Sequence, residues 1–198
     1  MTSGLVFGIA GWSGFFVMAL ELLGGRILAP NFGNSIFVWG ALIAVFMMAL
    51  AVGYLLGGLW STRRARVRDL GWLLGLQAVT TLVSVLLSDP ILDWIFEHVE
   101  DVRYQSLLAA TLLFFVPTMV SGMVSPCAVR LLVPRAPLSG RYTGLLFFVS
   151  TFGSAAGTIL TSFYFVLWFE VNHILYGLST VSIGLGLLTF GWSDGTAV

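Results

Sequence analysis

Lysine is absent from all 198 residues, and the nine basic side chains are all arginine. Schiff-base catalysis and a P-loop of the usual kind both need a lysine amine, so neither is open to this chain. A single cysteine, Cys127, excludes an intrachain disulfide and any cluster of cysteine metal ligands. Charge is scarce as well: charged residues make up 9% of the chain, against about 25% in a typical soluble domain. The net charge is zero, so there is no electrostatic footprint for nucleic acid. The sequence has no Ser–His–Asp order, no glycine-rich phosphate loop and no carboxylate pair within one apolar run. His98 and His173 are too far apart in sequence to argue for a metal. An enzyme activity of its own, a metal and a cofactor are therefore not expected.

Apolar residues are abundant. They make up 58% of the chain, with a mean hydropathy of +0.99. About 20 apolar residues are needed to cross a bilayer as a helix. Six runs qualify, near Leu5–Leu23, Ile36–Trp60, Leu70–Ser88, Gln105–Cys127, Tyr142–Trp168 and Val171–Trp192. The expected fold is an all-α polytopic membrane protein, with residues 1–198 as a single six-span domain. Met1-Thr-Ser-Gly lacks the basic region of a cleavable signal, so the first run is expected to be retained.

Arginine placement orients the spans. Arg63, Arg64, Arg66 and Arg68 follow span two, and Arg130, Arg135 and Arg141 lie between spans four and five. Cytoplasmic placement of these two loops puts both termini inside, in an inner or plasma membrane of prokaryotic type. Asp89, Asp93, Glu97, Glu100, Asp101 and Glu170 then fall outside. Trp39, Trp60, Trp72, Trp94, Trp168 and Trp192 all mark span ends, where an indole meets headgroups; only Trp12 does not. Between spans three and four, Pro90–Tyr104 separates apolar from acidic positions at helical spacing, which predicts a helix lying in the outer interface. Its acids could gather a cation or a polyamine, or simply form a solvated face.

Sliding the chain by 104 residues places Arg26-Ile-Leu-Ala-Pro30 on Arg130-Leu-Leu-Val-Pro134. Without a gap, Ser35 then meets Ser139, Gly40 meets Gly144 and Gly53 meets Gly157. Three spans is an odd number, so a second copy would run the opposite way through the membrane. The alignment predicts an inverted 3+3 repeat with halves near 1–104 and 105–198, a pattern found in transporters. Small residues at Ala49, Gly53 and Gly57, and at Ser150, Gly153 and Gly157, predict close helix packing, within one chain or between chains.

Two polar stretches are candidate sites. Glu21 and Arg26 flank Gly24-Gly25, followed by Pro30, Asn31, Gly33 and Asn34. Ionisable groups inside a span are costly, so they carry a functional hypothesis by default. The double glycine is expected to break the helix so that Arg26 turns back to pair with Glu21 near the outer edge. Pro30 and Gly33 should deny the next segment regular helix, and Asn31 and Asn34 should cap backbone groups or the start of span two. The result is either a ligand site or a charge-paired structural turn. In span four, Pro117 with Thr118, Ser121, Gly122 and Ser125 marks either a broken-helix transport site or a kink that neighbouring helices satisfy. Cys127 beside Pro126 reads as a small apolar filler.

The run Glu21-Leu-Leu-Gly-Gly-Arg26-Ile-Leu-Ala-Pro30, with Gly53-Tyr-Leu-Leu-Gly57-Gly58 and Gly144 through Gly157-Thr, resembles the membrane domain of the spermidine-synthase-like multi-pass family. That resemblance implies a facilitator-like domain, commonly followed by a soluble aminopropyltransferase-like domain. The residues after Trp192 are too few for such a domain, which needs about 100 or more. Thr62 also stands where facilitators place an aspartate before clustered arginines. The expected function is a non-catalytic membrane module resembling half a facilitator. It would bind or conduct a small polar or cationic solute, or serve a separately encoded synthase-like partner. The alternatives are an accessory subunit packed in a larger membrane complex and the membrane subunit of a split polyamine-synthase-like enzyme. Expected partners are the bilayer, other membrane chains or a second copy, and a soluble synthase-like protein.

Overall fold

The computed structural model describes residues 2–62, 66–133 and 139–191, and these are all-helical. Helices α1 (Thr2–Phe32), α2 (Ile36–Ser61), α3 (Val67–His98), α4 (Val102–Leu132) and α5 (Ser139–Leu160) precede α6 (Val171–Gly191). Helix α5 continues through a π-helical turn, Thr161–Phe165, and a last α-helical turn, Val166–Trp168. Six helical stretches are long and apolar enough to cross a bilayer by length and composition. Arg63, Arg64, Pro134, Arg135 and Trp192, all used in the sequence reading, lie outside the described residues.

Several helices overrun their apolar cores, and this corrects two expectations. First, α3 passes unbroken through Pro90 to His98, so the separate interfacial helix between Pro90 and Tyr104 does not form. Leu92 and Ile95 explain why: both are buried in the core, and they hold this acidic, amphipathic stretch against the bundle as the last turns of α3. Three residues then suffice to reach α4, where Asp101 caps the helix by accepting from the Arg103 backbone N–H at 2.9 Å. Second, α1 runs through Gly24, Gly25 and Pro30 to Phe32. It stops at Gly33, whose φ of +75° is left-handed backbone that glycine adopts without a Cβ penalty. The Gly33 N–H closes the helix by donating to the Ala29 carbonyl at 2.9 Å.

Helices α4 and α1 lie innermost, with 61% and 50% of their most apolar windows buried. Each is crossed by a helix from the other half of the chain, and glycines set both crossings. On α2, a Cβ at Gly53 would collide with the Met119 carbonyl oxygen, and one at Gly57 would lie 2.7 Å from Met123 Cα. On α5, Gly153 abuts the Gly11 carbonyl and Gly157 the Phe15 carbonyl. Residue numbers rise together at both crossings, so α2 runs parallel to α4 and α1 parallel to α5. Gly53 and Gly157 stand 104 apart, and so do Phe15 and Met119. The two glycine-on-carbonyl contacts therefore share the offset of the sequence alignment, with the halves exchanged.

Helix α3 joins the bundle through α4 and α6. Gly71 lets α6 approach at Thr189 and Gly186. Deeper in, the Ser182 hydroxyl oxygen accepts from the Trp12 indole N–H at 2.9 Å and from the Gln77 amide at 3.4 Å. One hydroxyl thus ties α1, α3 and α6 together. Its two partners are widely separated in sequence, and the bond to Trp12 explains why this indole departs from the span-end pattern of the other tryptophans.

Candidate functional site

The first predicted site does not assemble as a charge pair. Because α1 is continuous, five residues rotate the helix by about 140° net, which carries Arg26 away from Glu21. No ion pair joins them among the described residues. Gly24 and Gly25 make room for rings instead of breaking the helix. A Cβ at Gly24 would lie 3.1 Å from the Phe114 ring, and one at Gly25 would lie 2.8 Å from Trp39. Trp39 in turn donates its indole N–H to the Asn34 side-chain oxygen at 2.8 Å. Asn34 therefore holds Trp39 and does not cap α2. Ser35 occupies the N-cap position without a side-chain bond, and the Asn31 side chain makes no hydrogen bond among the described residues. Gly25, Asn34 and Trp39 form a lock between the end of α1 and the start of α2. Glu21 is half-buried, and about three helical turns of α1 continue beyond it. It therefore lies well inside α1 and not at the helix end where the sequence reading places it.

The second predicted site is not a broken helix, since α4 stays helical through both Pro117 and Pro126. A proline ring removes one donor and frees the carbonyl four residues earlier, here that of Leu113. The Ser84 hydroxyl of α3 donates to this carbonyl. The Ser121 hydroxyl donates to the Pro117 carbonyl at 2.8 Å, and the Ser13 hydroxyl of α1 to the Ser121 carbonyl at 3.2 Å. Thr118 is fully buried, and its hydroxyl has no partner.

The Ser13 and Ser121 hydroxyls border a cavity of about 90 Å³ where α1, α2, α4 and α5 meet. Its polar lining is Ser13, Tyr54, Ser121, Ser125, Ser150 and Ser154. The residues lie near the middle of all four helices, at the two glycine crossings. Of the predicted residues, Ser121 and Ser125 reach the cavity; Pro117 and Thr118 do not line it, nor do Glu21, Arg26, Asn31 and Asn34. Three lining pairs are related by the 104-residue offset: Val17 with Ser121, Met18 with Gly122, and Leu50 with Ser154. The cavity therefore straddles the junction of the two halves. Glu21 falls one helical turn beyond Val17 and Met18 on the same face of α1.

The chemistry of this lining follows from where its protons go. Ser13, Ser121 and Ser154 all donate to backbone carbonyls, the last to Ser150 at 3.1 Å. Each hydroxyl oxygen keeps its lone pairs, and the hydroxyls of Tyr54, Ser125 and Ser150, which make no hydrogen bond among the described residues, keep their protons as well, so acceptor sites outnumber donors along the lining. No carboxylate and no guanidinium lines it. Such a site suits a small solute rich in N–H or O–H donors. By the volume a water occupies in the liquid, it holds about three waters. The sequence reading missed Ser13, Tyr54 and Ser154. The spacing of Ser121 with Ser125 and of Ser150 with Ser154, each i to i+4 on an apolar helix, was the available signal.

Cys127 is buried, with its sulfur 3.7 Å from the Gly57 carbonyl oxygen, and fills space at the α2–α4 crossing. No protein-family model, curated protein or solved structure matches the chain.

Proposed function

We propose that the chain is a non-catalytic integral membrane module of six spans, built as an inverted repeat of two three-helix halves, that binds and conducts a small donor-rich solute. The acceptor-lined cavity at the junction of the halves carries this reading. In transporters of inverted-repeat construction, substrate sites lie near the bilayer midplane at the repeat interface. The shared 104-residue offset of the Gly53–Met119 and Gly157–Phe15 contacts supports the repeat. The arginines at the start of α3, the end of α4 and the start of α5 support an inside position for those ends. The resemblance to the spermidine-synthase-like membrane family remains part of the proposal, and a solute bearing amine-type donors agrees with it.

Guanidinium is a suitable probe, because it stays charged and carries a planar array of N–H donors. Urea is its near-isosteric neutral counterpart. Uptake of labelled guanidinium into proteoliposomes should exceed that into protein-free vesicles. Ser125→Leu, which places a larger apolar side chain in the cavity, should return it to the protein-free level. Equal uptake with and without protein, for both guanidinium and urea, would overturn the reading.

An accessory role in a larger membrane complex is the second reading. It draws on α5, whose most apolar window is 11% buried, against 39–61% for the other five.

A further inference from the structure

A second recess lies on another face of α1, separate from the hydroxyl-lined cavity and independent of the function proposed for it. It is a groove of about 350 Å³ between α1, the end of α5 and α6, within the range of small-molecule sites, about 300–1,000 Å³. Trp12, Phe15, Phe165, Phe169, His173 and Leu178 form its walls. Five of these six are aromatic, and Trp12, Phe15 and Phe165 pack ring against ring. Trp12 stacks on Phe15 with ring centroids 5.3 Å apart, and Phe15 meets Phe165 at 6.3 Å. The Ser182 hydroxyl holds the Trp12 indole by its N–H. Phe165 ends the π-helical turn Thr161–Phe165, and this local rewinding of α5 is a feature often found at functional sites.

Charge marks the mouth of the groove. Glu170 lies 3.5 Å from the imidazole of His173, which lines the groove, and its carboxylate is well exposed. The same end of the bundle carries six exposed carboxylates, Asp89, Asp93, Glu97, Glu100, Asp101 and Glu170, against two exposed guanidiniums, Arg26 and Arg103. One of these, Arg103, already sits over the Phe37 ring at 5.1 Å. Aromatic rings along the wall and negative charge at the rim both favour positive charge. We infer that the aromatic groove between α1, α5 and α6 is a binding site for a free lipophilic organic cation, with its ammonium group among the rings of Trp12, Phe15 and Phe165 and its apolar part along α6.

The test uses the full chain in maltoside micelles, which carry no cationic headgroup. Binding of benzyltrimethylammonium is compared with that of its neutral carbon isostere, neopentylbenzene, by equilibrium dialysis against protein-free micelles. The cation should bind about tenfold tighter than the isostere, as a desolvated cation–π contact implies. Trp12→Leu and Glu170→Gln, each checked for an unchanged gel-filtration profile, should each narrow that preference. Equal binding of cation and isostere by the wild-type chain needs no variant and would overturn the inference. Displacement of the cation by added phosphatidylcholine would assign the groove to a lipid headgroup and overturn it equally.

Discussion

At Gly53 and Gly157 a side chain has nowhere to go, because the atom each one faces is a backbone carbonyl oxygen on the crossing helix. A rotamer change cannot relieve such a contact, so the helices must separate. Gly53→Val and Gly157→Val should each destabilise the protein by about 1–3 kcal/mol or more, the usual cost of overpacking. Gly184 has nothing within 4 Å of an added Cβ, so Gly184→Ala should leave the melting temperature in detergent unchanged or raise it slightly. Equal effects at all three positions would mean that the crossings are looser than described. Glu21 and Arg26 give a second test at this scale. With no ion pair between them, the costs of Glu21→Gln and Arg26→Gln should add in the double variant to within about 0.5 kcal/mol. A coupling well beyond that, read from the same melts, would restore the pairing that the sequence suggested. The sequence could not settle this point. A Gly-Gly pair signals either a break or a close approach, and only the positions of Phe114 and Trp39 decide between them.

Among the helices, the apolar runs located all six long apolar helices but not their ends. Hydropathy falls where polar residues begin, yet a helix continues as long as buried side chains hold it, as Leu92 and Ile95 do for α3. Pro117 shows the same limit. From sequence it marks a missing donor, but the remedy lies on α3, where Ser84 supplies the hydroxyl that the Leu113 carbonyl accepts. The Ser84 hydroxyl also reaches the Thr80 carbonyl at 3.0 Å, so its bond across to α4 matters most while residue 117 lacks an N–H. Ser84→Ala should cost about 0.6–2 kcal/mol in the native background, the range for hydrogen bonds between membrane helices. In a Pro117→Ala background the restored backbone bond should make the same change nearly neutral. Equal costs in both backgrounds would show that Ser84 does not serve that carbonyl. The serines of the cavity were half legible. Ser121 and Ser125 stood out beside Pro117, while Ser13 and Ser154 become polar neighbours only once α1 lies between α4 and α5.

For the whole molecule, the proposal is that two halves with the same packing run through the membrane in opposite senses and meet at a hydroxyl-bordered cavity. Arg26 and Arg130 are the clearest pair related by the 104-residue offset. Both are exposed, each in the last two turns of an antiparallel helix, and they lie at opposite ends of the bundle. The most direct measurement places single cysteines at Arg26 and Arg130 on a Cys127→Ser background, in sealed vesicles of known orientation. A membrane-impermeant maleimide is then applied from one side. The account predicts that Arg26→Cys reacts only from outside and Arg130→Cys only from inside. Labelling of both from the same side would contradict the inverted repeat, and with it the placement of the cavity between two opposed halves.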